Sequence, residues 1–115
     1  MNYRLSAQFR IDGTGKAVPT ADVPDIAVAA RHYRAHDHAA VDRVCDAILA
    51  REPQHFDALH LRGVSCLQQQ QPKLALGFLR RALRERPGDA RVHFHIGNVL
   101  LALQRYRWAE RAFRR

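Results

Sequence analysis

Seven histidines and two cysteines are the side chains of this chain with the most chemistry to offer. His32 and His36 are four apart, a spacing that places two imidazoles on one helix face, and His38 is close by. Together they could begin a metal site, but no carboxylate or cysteine partner set completes it. Helix-end and turn histidines are the simpler reading. His93 and His95, two apart, point away from each other on a helix. Cys45 and Cys66 form no CxxC and no Cys/His pattern with metal-ligand spacing. Each falls on an apolar position, which predicts a buried free thiol and argues against Cys45 as a nucleophile paired with a histidine. Gly13-Thr14-Gly15-Lys16 has a faint look of a phosphate loop, without the earlier glycine or the following helix pattern that such a loop needs. The only serines, Ser6 and Ser65, sit in no nucleophile motif, and no paired carboxylates stand out. The expectation is a chain without catalytic residues, metal or cofactor.

The elements that hold these residues are helical. From residue 22 apolar residues recur with the 3.6-residue period of an amphipathic helix. Ile26, Ala29, Ala30 and Tyr33 predict a helix at about 23–35, with Asp22 as N-cap and Pro24 in its first turn. His36-Asp37-His38 reads as a turn. Val41, Val44, Cys45, Ile48 and Leu49 stripe a helix at about 39–51, which Glu52-Pro53 ends. Leu59, Val64, Cys66 and Leu67 mark one at about 56–69, and the run Gln68 to Pro72 connects it to the next. Leu74, Ala75, Phe78, Leu79, Ala82 and Leu83 stripe a helix at about 73–85, broken by Arg86-Pro87-Gly88-Asp89. Phe94, Ile96, Val99, Leu100 and Leu103 belong to a fifth helix, and Tyr106, Ala109, Ala112 and Phe113 begin a partner to it. Residues 1–21 read as a flexible lead-in, with a weak strand alternation at Leu5, Ala7, Phe9 and Ile11.

A 34-residue echo organises these helices. Pro53 and Pro87, Gly63 and Gly97, Ala75 and Ala109, and Leu79 and Phe113 are each separated by that distance. Such a period means stacked supersecondary units. Mid-helix glycine costs about 1 kcal/mol against alanine, so its recurrence at one phase predicts a close helix–helix approach. Ala75 and Ala109 supply the small partner, and Leu79 and Phe113 fill the space beside it.

These residues give residues 56–89 the pattern of one full tetratricopeptide repeat. Leu59, Gly63, Cys66, Ala75, Leu79, Ala82 and Pro87 fall on its signature positions. Residues 90–115 resemble a second, incomplete unit through Gly97, Leu100, Tyr106, Ala109 and Phe113. Residues 22–55 resemble a worn first one, with Ala29, Val41, Cys45 and Ile48 at the packing positions. Arg62 stands where the repeat usually has leucine, and His93 where it has an aromatic residue or leucine. The resemblance implies an all-α fold: a right-handed superhelical solenoid of antiparallel helical hairpins over 22–115. The stretch DALHLRG to GNVLLAL is also similar to the N-terminal repeat arrays of bacterial proteins related to O-linked N-acetylglucosamine transferases. There the repeats precede a glycosyltransferase domain, for which 115 residues have no room.

In such arrays the first helix of each hairpin lines a concave face. The resemblance therefore implies a peptide groove of Ile26, Ala30 and Tyr33, then His60, Val64 and Leu67, then Phe94, Asn98 and Leu101. A carboxylate clamp of the kind that binds heat-shock chaperones is excluded: only Asn98 matches, Ala30 and Val64 stand at the equivalent phase, and the lysines are missing. The charge is lopsided. Residues 1–72 carry eight basic and eight acidic side chains, whereas 73–115 carry eleven against three, so the net charge of +8 lies there. Arg80, Arg81, Arg84, Arg86, Arg105, Arg107, Arg111 and Arg114 form a basic patch, expected on the convex side, that favours an acidic partner. Nothing favours nucleic acid. No apolar run reaches membrane-spanning length and no signal peptide opens the chain. The expected function is a protein- or peptide-binding scaffold in a reducing cytoplasm. The alternative is a substrate-docking or regulatory arm of a larger glycosyltransferase-like enzyme. Self-association through the incomplete last hairpin is a further expectation.

Overall fold

The computed structural model describes residues 9–11, 15, 17–19 and 25–113. A short antiparallel ribbon, β1 (Phe9–Ile11) and β2 (Ala17–Pro19), pairs Phe9 with Pro19 and Ile11 with Ala17. It lies in the stretch expected to be a flexible lead-in. The rest is helical: α1 (Ile26–Arg34), α2 (His38–Arg51), α3 (Phe56–Gln68), α4 (Pro72–Glu85) and α5 (Ala90–Phe113). Successive helices pack on one another, giving an elongated array of 72 × 28 × 22 Å. The fold is all-α in its body, a solenoid of helical hairpins.

The 34-residue period is visible in the backbone hydrogen bonds. The chain leaves α1 through His36, at φ 59°, and leaves α3 through Gln70, at φ 60°. In the first turn His36 N–H donates to Tyr33 O and Asp37 N–H to His32 O; in the second Gln70 N–H donates to Leu67 O and Gln71 N–H to Cys66 O. Both are left-handed C-caps of the Schellman type, which satisfy the orphan carbonyls at a helix end. The exits from α2 and α4 match in the same way, Glu52 N–H donating to Ile48 O and Arg86 N–H to Ala82 O.

Helix starts are set by side-chain caps. Asp25 accepts from Ala27 N–H at 3.1 Å, so α1 begins later than expected; Asp22 and Pro24 lie outside the described residues. Asp37 caps α2 through Ala40 N–H at 3.2 Å. His55 Nδ1 accepts from Ala58 N–H at 3.1 Å and opens α3. Asp89 Oδ1 accepts from Arg91 N–H at 2.9 Å at the start of α5. Pro72 occupies the first turn of α4, where its missing N–H costs nothing.

The main core joins α2, α3, α4 and the first half of α5 through Ile48, Phe56, Leu59, Cys66, Leu79, Val92 and Val99. A smaller cluster of Ala29, Val41 and Cys45 holds α1 on α2. Glycine has its clearest role at Gly63: a Cβ there would lie 2.8 Å from Leu79 Cγ and Cδ2 and 3.4 Å from the Ala75 carbonyl oxygen.

The third unit departs from the expected hairpin. α5 is continuous for 24 residues and makes no turn near Gln104. Ala109 is exposed, and a Cβ at Gly97 would meet nothing within 4 Å. The close approach expected at Gly97 is therefore not made. The reason is local. The turns after α1 and α3 each run into a helix-start signal, the Asp37 cap or Pro72 at the first helical position, whereas Arg105 and Tyr106 at the matching positions supply neither.

A candidate peptide-binding face on α3 and α5

The expected groove residues divide into three groups. Ile26 packs against both apolar clusters and Val64 is buried, so these two serve the core. Ala30, Tyr33, His60, Leu67 and Asn98 are half-buried. Phe94 and Leu101 stand open, at 65% and 56% exposure.

Neighbouring units are tied together along this side. Gln68 Nε2 donates to Tyr33 Oη at 2.8 Å, and Tyr106 Oη donates to Gln70 Oε1 at 3.3 Å. His60 lies between two rings, 5.8 Å from Phe56 and 5.1 Å from His95, and His95 meets Phe94 at 5.4 Å. This run carries an aromatic surface from α3 onto α5. Burial holds the His60 imidazole below its ordinary value, helped by His95 and Arg91. Burial, then Arg91, does the same to His95. Both rings are therefore neutral near pH 7 and present an uncharged floor. Beside them a shallow hollow of about 450 Å³ is lined by Leu67, Gln70, Pro72, Ala102, Arg105, Tyr106 and Ala109.

The arginines of the basic patch are not equivalent. Arg81 donates to the Pro53 carbonyl at 3.0 Å and lies 5.7 Å from the Phe78 ring centre. Arg86 sits 4.1 Å over the Phe56 ring. These two brace the array. Arg80, Arg84, Arg105, Arg107 and Arg111 are exposed, and Arg114 lies outside the described residues.

One constellation escaped the sequence reading. Arg62, whose side chain is 13% exposed, bridges α3 to α2: Nε meets Asp46 Oδ1 at 2.9 Å and Nη1 meets Asp42 Oδ1 at 3.1 Å. The Asp42 carboxylate also accepts from Ser65 Oγ and Gln69 Nε2, each at 2.9 Å. The guanidinium lies 4.9 Å from the Phe78 ring centre and 2.9 Å from Cys66 Sγ. The available signal was Arg62 at a leucine position, with Asp42 and Asp46 one turn apart on the helix before it.

Both cysteines are buried and free. Burial, then Asp46, pushes the Cys45 thiol up to about 12. Burial also raises the Cys66 thiol, outweighing the opposite pull of Arg62. Neither is a thiolate nucleophile near neutral pH.

A helical-hairpin array bound unit to unit in this way can be compared with known families. The family model for anaphase-promoting complex, cyclosome, subunit 3 (ANAPC3) matches residues 32–115. The chain belongs to the ANAPC3 family. The match takes in α2 to α5 whole and agrees with the tetratricopeptide-like architecture. No curated protein and no solved structure matches. The described residues of this ANAPC3-family chain hold no group of three or more His, Cys, Asp or Glu placed to bind a metal ion. No described helix is long and apolar enough to cross a membrane.

Proposed function

We propose that this ANAPC3-family chain is a non-enzymatic scaffold that binds protein segments on the face shared by α1, α3 and α5. The observation that carries this reading is the exposure of Phe94 and Leu101, large apolar side chains on the same face as the half-buried His60, whose Nε2 has no hydrogen-bond partner. The family description names a subunit of a multiprotein complex, which supports a role in protein assembly. Two buried free thiols suit a reducing compartment such as the cytoplasm. Nothing in the described residues favours the enzyme-arm alternative or a kinship with glycosyltransferase-linked arrays.

Selection of a random peptide library displayed on phage tests the reading. Enriched peptides should bind the chain and lose binding to the Phe94→Asp/Leu101→Asp double variant. Enrichment of peptides that bind both proteins equally, or no enrichment at all, overturns it.

A further inference from the structure

Phe94, Leu101 and Trp108 follow one another at seven-residue intervals on α5 and are 65%, 56% and 64% exposed. At 100° per residue they fall within about 40° of one another around the helix. The side chains that hold α5 against the core, Val92, Ile96, Val99 and Leu103, lie almost opposite. α5 thus has two apolar lines: an inner one that is filled and an outer one without a described partner over about 21 Å of helix.

We infer that the outer line docks an acidic amphipathic helix of another protein. This rests on the scaffold reading and names the partner class for its α5 portion. The spacing selects a helix. Knobs seven residues apart recur every 10.5 Å or so along a helix axis, the repeat of helix-to-helix packing. An extended segment presents its side chains on one face every 7 Å or so and falls out of step. Charge selects the acid. α5 carries Arg105, Arg107 and Arg111 against the single acid Glu110, Arg91 being paired with Asp89, and exposed Arg105 and Arg111 flank the line on its two sides. A partner helix with glutamates beside its apolar stripe pairs with both. A second copy of this chain fits less well. Antiparallel pairing centred on Leu101 sets Phe94 against Trp108, but it also brings together two helices that each carry Arg105, Arg107 and Arg111 against one acid.

Trp108 is the only tryptophan, so its emission reports the line directly. The full chain is titrated with a stapled, tryptophan-free peptide of about 18 residues, with leucines on one stripe and glutamates beside it. Its lysine twin and a proline-interrupted twin serve as comparisons. The acidic helix should give a saturating blue shift. Affinity should drop at least about tenfold for either twin and for Leu101→Glu, and should weaken in roughly 0.5 M salt. Leu101 is exposed, so this variant should keep wild-type helicity by circular dichroism. The inference falls if the acidic helix gives no shift or if the twins match it. It also falls if the emission shifts with protein concentration alone, which assigns the line to a second copy. Phage-selected peptides that still bind while the acidic helix does not leave the scaffold reading standing and remove this one. Failure of both removes both.

Discussion

Arg62 shows how one side chain can replace an apolar contact with a directed one. A leucine there would fill space between α2 and α3, whereas the arginine meets two carboxylates and a ring. Its worth lies as much in what it satisfies as in what it gains, because Asp42 is largely shielded from water. Arg62→Leu should cost about 1.5–3 kcal/mol in urea unfolding. Adding Asp42→Asn should recover part of that loss, with a coupling of about 1 kcal/mol. Additive effects would mean that the pair is an accident of two long side chains. The stacked imidazoles make a second prediction at this scale. Burial holds His60 and His95 below their ordinary value of 6.5, so the unfolded chain binds protons more readily than the folded one. The neutral rings' contribution is therefore fully present above the unfolded value and is lost as pH falls below it. The urea midpoint should drop between roughly pH 7 and pH 5, and His60→Phe should flatten the drop. A midpoint that does not change over that range would show that the stack is not protected from protonation.

At the scale of elements, the period was legible wherever backbone chemistry repeats it. The exits through His36 and Gln70 and the ends at Glu52 and Arg86 stand 34 residues apart in the structure, as Pro53 and Pro87 do in the sequence. Two features were not legible. One is the Asp25 cap of α1, since the apolar period places a helix start only to within a few residues. The echo of Gly97 and Ala109 predicts a hairpin, yet Arg105 and Tyr106 give no cap or proline to start its second helix, as Asp37 and Pro72 do in the units before. The two glycines should therefore answer differently to one substitution. Gly63→Ala forces a methyl onto Leu79 and should destabilise by about 1–3 kcal/mol. Gly97→Ala meets open space and should stabilise by about 0.5–1 kcal/mol through helix propensity. Equal losses at both sites would place a second helix against Gly97. Spin labels on Phe94→Cys and Arg111→Cys give a direct length. The continuous α5 sets them about 25 Å apart along its axis. A turned-back hairpin would bring them to about the 10 Å spacing of packed helices. The buried Cys45 and Cys66 should stay unlabelled.

Across the whole molecule, stability should be graded along the array. A solenoid is held by nearest-neighbour interfaces, so a unit is only as secure as the neighbours it touches. α3 and α4 have partners on both sides and carry most of the main core, including Phe56, Leu59, Cys66, Ala75, Leu79 and Ala82. α1 rests on the small cluster of Ala29, Val41 and Cys45, with the Gln68–Tyr33 hydrogen bond beside it. Beyond Leu103, α5 is exposed from Gln104 to Ala112, and its backbone hydrogen bonds face water. Local opening therefore costs least at the two ends and most in the middle. Hydrogen–deuterium exchange read by mass spectrometry should show amides of α3 and α4 exchanging last. α1 should exchange earlier, and residues 105–112 earliest among the helices. Arg62→Leu should speed exchange in α1 and α2 more than in α4, because it loosens the seam between the first two hairpins. Uniform protection from α1 to α5 would contradict the nearest-neighbour account and require coupling that spans the array. The acidic stapled helix should slow exchange in residues 94–108 while leaving α1 unchanged, since it covers only the outer line of α5.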